Sequence, residues 1–232
     1  MFDRYTIFCE KPELEKFMGA ELPVDEFVSY NAAPTQALPV VALNRKDMIQ
    51  FFHWGQTAKM ANNKALSTKL FNLTSDNAIQ RPAYKKAIQS SRCLIGANGF
   101  YVWKQVSKKQ KVPYFCYKQH HVPFGIAGIY EEFEDFDGNS FHTFNMITVP
   151  SGTKIAPYSE DMPAMLNKQQ ADQWLNPELA LEQITELLDS ITDSQLIMHA
   201  VSPRITELTY NSPDLIKPSA PSDQFGNYTL FN

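Results

Sequence analysis

The chain is poor in the residues that announce redox, metal or cofactor chemistry. Three cysteines occur in 232 residues, Cys9, Cys93 and Cys116. They are an odd count at unrelated spacings and form no Cys-x-x-Cys pair, which speaks against a zinc or redox motif. Cys93 and Cys116 lie in apolar stretches and read as buried thiols of a reducing cytosol. No run approaches the roughly 20 apolar residues of a membrane helix. The first residues also lack the charged and apolar regions of a signal peptide. The expectation is a cytoplasmic protein with no membrane or metal partner. Glycine-rich nucleotide loops and HExxH or GxSxG strings are absent too, so no cofactor is expected. Positive charge is scarce: 21 Lys and Arg against 25 Asp and Glu leave a net charge of −4. A whole-chain attraction for nucleic acid is therefore lacking, and any such site must be a local patch.

What is present is an aromatic, β-rich chain. Sixteen Phe and ten Tyr suit strand interiors. The hydrophobic fraction of 44% and charged fraction of 20% are those of an ordinary globular protein. The length predicts one domain over residues 1–232, with a Pro- and Ser-rich tail from Lys217 lying along the surface. Arg4-Tyr5-Thr6-Ile7-Phe8 predicts a strand that begins almost at the first residue. Lys11-Pro12 opens a short helix with Leu14, Phe17 and Met18 on one face. Strands are expected over 36–43, 49–54, 93–95, 100–103, 114–117, 123–130, 141–149 and 196–201. Turns are expected at 44–47 and in a Lys-bearing hairpin around Lys104, Lys108, Lys109 and Lys111. The polar stretch 56–69 reads as a loop. Helices are expected from Arg81-Pro82 through Ile88, over 169–175, and over 178–190 with Leu181, Ile184, Leu187 and Leu188 as the apolar face. Residues 205–210 read as a short helix or an extended segment. Hairpin-connected strands make this an α+β chain with mostly antiparallel pairing.

Read residue by residue, the candidate sites are weak. His120-His121 on an extended segment would point to opposite sides and make a poor chelate. His199, inside an apolar strand, reads as a hydrogen-bonded core histidine rather than a general base. The four hairpin lysines could hold phosphates, but a solvated tip is the plainer reading. The acidic run 131–137 lacks the ligand register of a calcium loop.

Landmarks in sequence order nevertheless resemble the SOS response-associated peptidase family, the abasic-site processing proteins. They are Arg4-Tyr5, Tyr30-Asn31-Ala32-Ala33-Pro34-Thr35, Trp54-Gly55, Asn72, Arg92-Cys93-Leu94-Ile95 and Gly99-Phe100-Tyr101-Val102-Trp103-Lys104. His199-Ala200-Val201-Ser202 and Asn211-Ser212-Pro213-Asp214-Leu215-Ile216 complete the set. The resemblance implies an α+β single domain with a mixed, mostly antiparallel, barrel-like sheet flanked by helices. It also implies single-stranded or abasic DNA as the partner. In the family an N-terminal Cys, exposed by loss of the initiator Met, captures the abasic aldehyde through its amine and thiol. A Glu, a His and an Asn assist.

Against that pattern, Phe2 stands at the Cys position, Val102 at the Glu and Ser159 at the His, while Asn72 is retained. A bulky Phe2 also implies that Met1 stays on. Asp161 and Thr74 stand where the family has DNA-contacting arginines, and residues 56–64 carry no aromatic wedge. Arg4, Asn31, Pro34 and Asn72 are the surviving candidates for contact with DNA, none of the catalytic set being intact apart from Asn72. Cys9 is internal and has no free amine, so it cannot replace the missing aminothiol. The expectation is a catalytically degenerate relative with a binding or accessory role and weak affinity for single strands. Two alternatives remain open: residual processing through a Schiff base on the Met1 amine, and a protein-interaction module using the acidic run.

Overall fold

The computed structural model describes residues 2–55, 71–134 and 140–228. The chain starts with β1 (Tyr5–Ile7), α1 (Lys11–Met18), β2 (Ser29–Ala32), β3 (Ala37–Ala42) and β4 (Arg45–Trp54). Next come β5 (Asn72–Thr74), α2 (Ser75–Gln80), α3 (Pro82–Ser90), β6 (Arg92–Ala97), β7 (Gly99–Gln105) and β8 (Lys111–Lys118). The two longest strands, β9 (Phe124–Glu134) and β10 (Ser140–Pro150), precede β11 (Asp161–Pro163) and β12 (Met165–Leu166). The last elements are α4 (Lys168–Trp174), α5 (Leu181–Asp189) and β13 (Leu196–Ala200).

Five strands close into a ring, β4–β3–β6–β9–β10 and back to β4. Closure depends on β10, which runs antiparallel to β9 from Ser140↔Glu134 to Met146↔Gly128 and parallel to β4 at Thr143↔His53 and Phe144↔Trp54. Beyond Phe144, β10 leaves β4 and takes β5 as its parallel neighbour through Met146–Asn72 pairing. β11 and β12 extend β10 and β9 antiparallel. A second sheet, in the order β13–β8–β7–β1–β2, is antiparallel throughout. This is the mixed, mostly antiparallel, barrel-like α+β fold that the landmarks imply, and closing the ring removes the exposed edges an open sheet would carry.

The helices sit where their apolar faces find the sheets. Pro12 opens α1, Leu14 and Met18 are buried, and Gly19 ends it in the left-handed region. α4 starts with a capping box between Asn167 and Gln170. α5 buries Ile184, Leu187 and Leu188. Its start at Leu181 rather than at 178 reflects Gln183, whose Oε1 accepts the Ala180 N–H at 3.0 Å. Arg92, wholly buried, ties two helix ends to the ring. It donates to the carbonyls of Ile88 and Gln89 at the end of α3 and to those of Trp174 and Asn176 at the end of α4. A cation at the carbonyl ends of two helices satisfies groups that helices leave open.

Several expectations need correcting. The turn after β3 is shorter than 44–47, because the strand resumes at Arg45. His120-His121 is not extended: both residues are left-handed, at φ 59° and 53°, in a tight turn. Residues 203–206 form a 3-10 turn, and 207–210 do not continue it. α2 was not foreseen, and neither were β5 and β11. The 56–69 loop lies outside the described residues, as do residues 135–137 of the acidic run, whose residues 131–134 belong to β9.

Candidate functional site

The N-terminal segment is fixed from both its side chains and its backbone. The ring of Phe2 is 2% exposed. It packs on Trp54 at 5.6 Å and edge-on to Phe100 at 5.7 Å. Trp54 is itself buried between Tyr5 and Phe71, with its indole N–H donating to the Phe71 carbonyl. Across the strand, the Asn72 side-chain amide donates to the Phe2 carbonyl. β7 and the residue before it hold the next residues through Tyr101 N–H to the Arg4 carbonyl at 3.1 Å and Asn98 N–H to the Thr6 carbonyl at 2.9 Å. Gly99 is required here, because a Cβ would come within 2.3 Å of the Phe115 ring. Gly55, at φ 68°, turns the chain after Trp54.

Beside this anchor lies a cleft of about 230 Å³ walled by Phe2, Tyr101, Val102 and Trp103 and closed by Tyr158 and Ser159. Phe2, Asn72, Val102 and Ser159 are therefore brought together, Asn72 through its bond to Phe2 and the others as walls. Val102 is 2% exposed and offers only methyl groups. The Ser159 hydroxyl donates to the Asp161 carbonyl at 2.7 Å, so it turns into its own loop.

The carboxylate of the cleft comes from Asp3, a residue that sequence reasoning missed. Burial raises its pKa, while Arg4 and Lys111 pull it back. The Arg4 guanidinium folds onto Asp3, donating to its carbonyl at 2.7 Å and lying 3.5 Å from its carboxylate. Asp3 Oδ1 and Trp103 Nε1 are buried with no hydrogen-bond partner among the described residues. The Lys111 ammonium stands 5.1 Å above the Trp103 ring. On the Ser159 side, burial is the main cause that raises the Asp161 pKa, and Glu160 and Asp76 add to it.

Asn31 and Pro34 sit on β2 and the turn after it. Asn31 donates to the carbonyls of Glu207 and Tyr210, both at 3.0 Å. Asn211 accepts the Tyr30 N–H at 2.6 Å. Asn31 thus pins β2 to the 207–211 segment, and its Oδ1 has no hydrogen-bond partner among the described residues. Pro34 and Thr35 occupy the turn 33–36, with Thr35 at φ 76°. A β-branched residue there is strained, and its backbone is held by Trp54 and His53. Thr74 caps α2, accepting the Asn77 N–H.

The thiols are sealed away. All three thiols are buried, and burial, helped by Glu13, pushes Cys9 up to about 11. His199 donates to the Ile216 carbonyl at 2.9 Å and packs edge-on against Phe115 and Tyr117. His121 stacks on Tyr117 at 4.4 Å. Among the described residues no cluster of His, Cys, Asp and Glu could hold a metal ion. The arrangement can receive a small polar group, orient it and exchange a proton with it through Asp3. Among the described residues no thiol lines it, and Lys111 is the side-chain amine in its wall.

The family model for SOS response associated peptidases matches residues 1–208. The chain is 28% identical over 222 residues to the abasic site processing protein YoqW of Bacillus subtilis, covering 94% of this chain and 99% of that one. It is 24% identical over 231 residues to the rat abasic site processing protein HMCES, covering 82% of this chain and 65% of that one. A crystal structure of a Bacteroides thetaiotaomicron protein superposes with a TM-score of 0.78 at 19% identity, covering 93% of this chain and 99% of the other. That similarity speaks for the fold.

Proposed function

This chain belongs to the SOS response associated peptidase family, and from that premise we propose that it recognises single-stranded or abasic DNA without forming the family's covalent link. The observation that carries the reading is Phe2. The family reaction needs a free amine and thiol on one residue at that position. Here the position holds an aromatic ring packed on Trp54 and Phe100. Val102 and Ser159 in the same cleft offer neither a carboxylate nor an imidazole. Relatives named abasic site processing proteins support DNA as the ligand class. The retained Asn72 supports a site kept in shape for a ligand rather than one decayed at random. The test is fluorescence anisotropy with a labelled single-stranded oligonucleotide, with and without an abasic site, followed by heating in detergent. The reading expects salt-sensitive binding that heating abolishes. Absence of binding to both strands at low salt overturns it.

A second reading has one observation behind it. Asp3, with its raised pKa, could shuttle protons for an imine between the Met1 amine and the abasic aldehyde. Met1 itself lies outside the described residues. Borohydride reduction of the mixture would trap such an imine as a stable amine adduct, and an untrapped strand would dismiss it.

A further inference from the structure

The lysine hairpin and the last described residues form one unit. Asp223, with none of its surface exposed, gathers the loop 222–228 around its carboxylate. Oδ1 accepts the backbone N–H groups of Phe225 and Asn227, both at 2.9 Å. Oδ2 accepts from Gln110 at 2.7 Å and from the Asn227 amide at 3.2 Å. Gln224 clamps the loop onto the hairpin, accepting the Lys111 N–H at 2.8 Å and donating to the Lys109 carbonyl at 2.6 Å. Gly226, at φ 82°, makes the turn possible.

What this scaffold presents is unusual for a surface loop. Phe225 is 70% exposed and Tyr228 is 78% exposed, the two highest values among the exposed large apolar side chains described. Beside them the hairpin carries Lys108 and Lys109, both exposed, and neither pairs with an acid among the described residues. Lys111 joins the unit to the cleft, since its backbone is held by Gln224 and its side chain lies over Trp103. Exposed rings on a hydrogen-bonded loop beside unpaired cations match what an unstructured polyanion with stacking bases requires.

We propose that loop 222–228 and hairpin 104–111 form a single-strand binding platform on the rim of the cleft, Phe225 and Tyr228 stacking bases and Lys108 and Lys109 contacting phosphates. This rests on the DNA reading above and names the surface that carries it. The platform is independent of the abasic site, so the probe is labelled dT12 with no lesion, titrated into the full chain across a salt series. Phe225→Ala with Tyr228→Ala is expected to weaken binding about tenfold or more, as loss of stacked bases does. Lys108→Gln with Lys109→Gln is expected to flatten the slope of log K against log salt by about 1.4, the loss of two single-strand phosphate contacts. All four side chains are exposed, so thermal unfolding is expected to stay unchanged.

The outcomes separate the two readings. Wild-type binding to dT12 that neither double variant alters overturns the platform and leaves the DNA reading standing. Binding to the abasic strand alone has the same meaning. Failure to bind either strand overturns both. Cosedimentation with phosphatidylglycerol vesicles without binding to dT12 would make the surface a membrane contact and overturn the platform as well.

Discussion

The side-chain amide of Asn72 donates a hydrogen bond to the main-chain carbonyl of Phe2, 70 residues earlier in the chain. This bond and the ring contact with Trp54 hold the same residue from opposite directions. The bond reads only the backbone, so it would form with any side chain at position 2. The ring contact is specific to an aromatic. The terminus is therefore held both through its backbone and through an apolar ring.

The two grips predict different costs. Phe2→Ala removes a buried ring and leaves a cavity, so a loss of about 3–5 kcal/mol is expected. Asn72→Ala removes one hydrogen bond and is expected to cost about 1 kcal/mol, rising toward about 3 if the Phe2 carbonyl stays unsatisfied. Urea unfolding of both variants checks the order. Equal losses would show that the ring is not the main anchor.

Cysteine chemistry should be silent in the native protein. Cys9, pushed up to about 11 by burial and Glu13, is almost wholly a thiol at pH 8, and Cys93 and Cys116 are raised further by burial. A disulfide reagent such as Ellman's is expected to label none of them at pH 8 in native buffer and all three in denaturant. Rapid native labelling of Cys9 would contradict its enclosed position.

His121 gives the fold a pH dependence of defined sign. Burial first, and His199 second, lower its pKa in the folded state. The unfolded chain therefore takes up the proton before the folded one does. Stability from this group is complete above about 6.5, the unfolded value, and falls as pH drops through the lowered folded value. Urea midpoints at pH 7.5 and 5.5 measure it. His121→Asn, which tolerates the left-handed backbone, should shrink the difference between the two midpoints. An unchanged difference would place the pH dependence elsewhere.

Local structure was legible where one segment carries its own signal. Pro12 opens α1, and the apolar face of α5 appears in the spacing of Leu181, Ile184, Leu187 and Leu188. β5, β11 and α2 were not legible. β5 and β11 are three-residue strands that exist because β10 supplies a ladder. α2 is a six-residue helix defined mainly by the Thr74 cap. Ring closure depends on β10 meeting both β4 and β9, a long-range pairing that no local pattern encodes. The candidate positions Phe2, Val102 and Ser159 came from sequence landmarks, and the cleft puts them side by side. Asp3 escaped notice because its importance is one of placement. Nothing in Met-Phe-Asp-Arg says that the third side chain lines a cleft.

The central claim is that the scaffold is intact and the reagent is missing, which a single gel can test. Wild type and the variant Phe2→Cys, Val102→Glu, Ser159→His are each incubated with an abasic single-stranded oligonucleotide, heated and run under denaturing conditions. Cys at position 2 permits removal of Met1, and Glu and His restore proton transfer in the cleft. The account predicts a heat-stable shifted band for the triple variant and none for wild type. A heat-stable wild-type band, or a folded triple variant that gives no band, would contradict it.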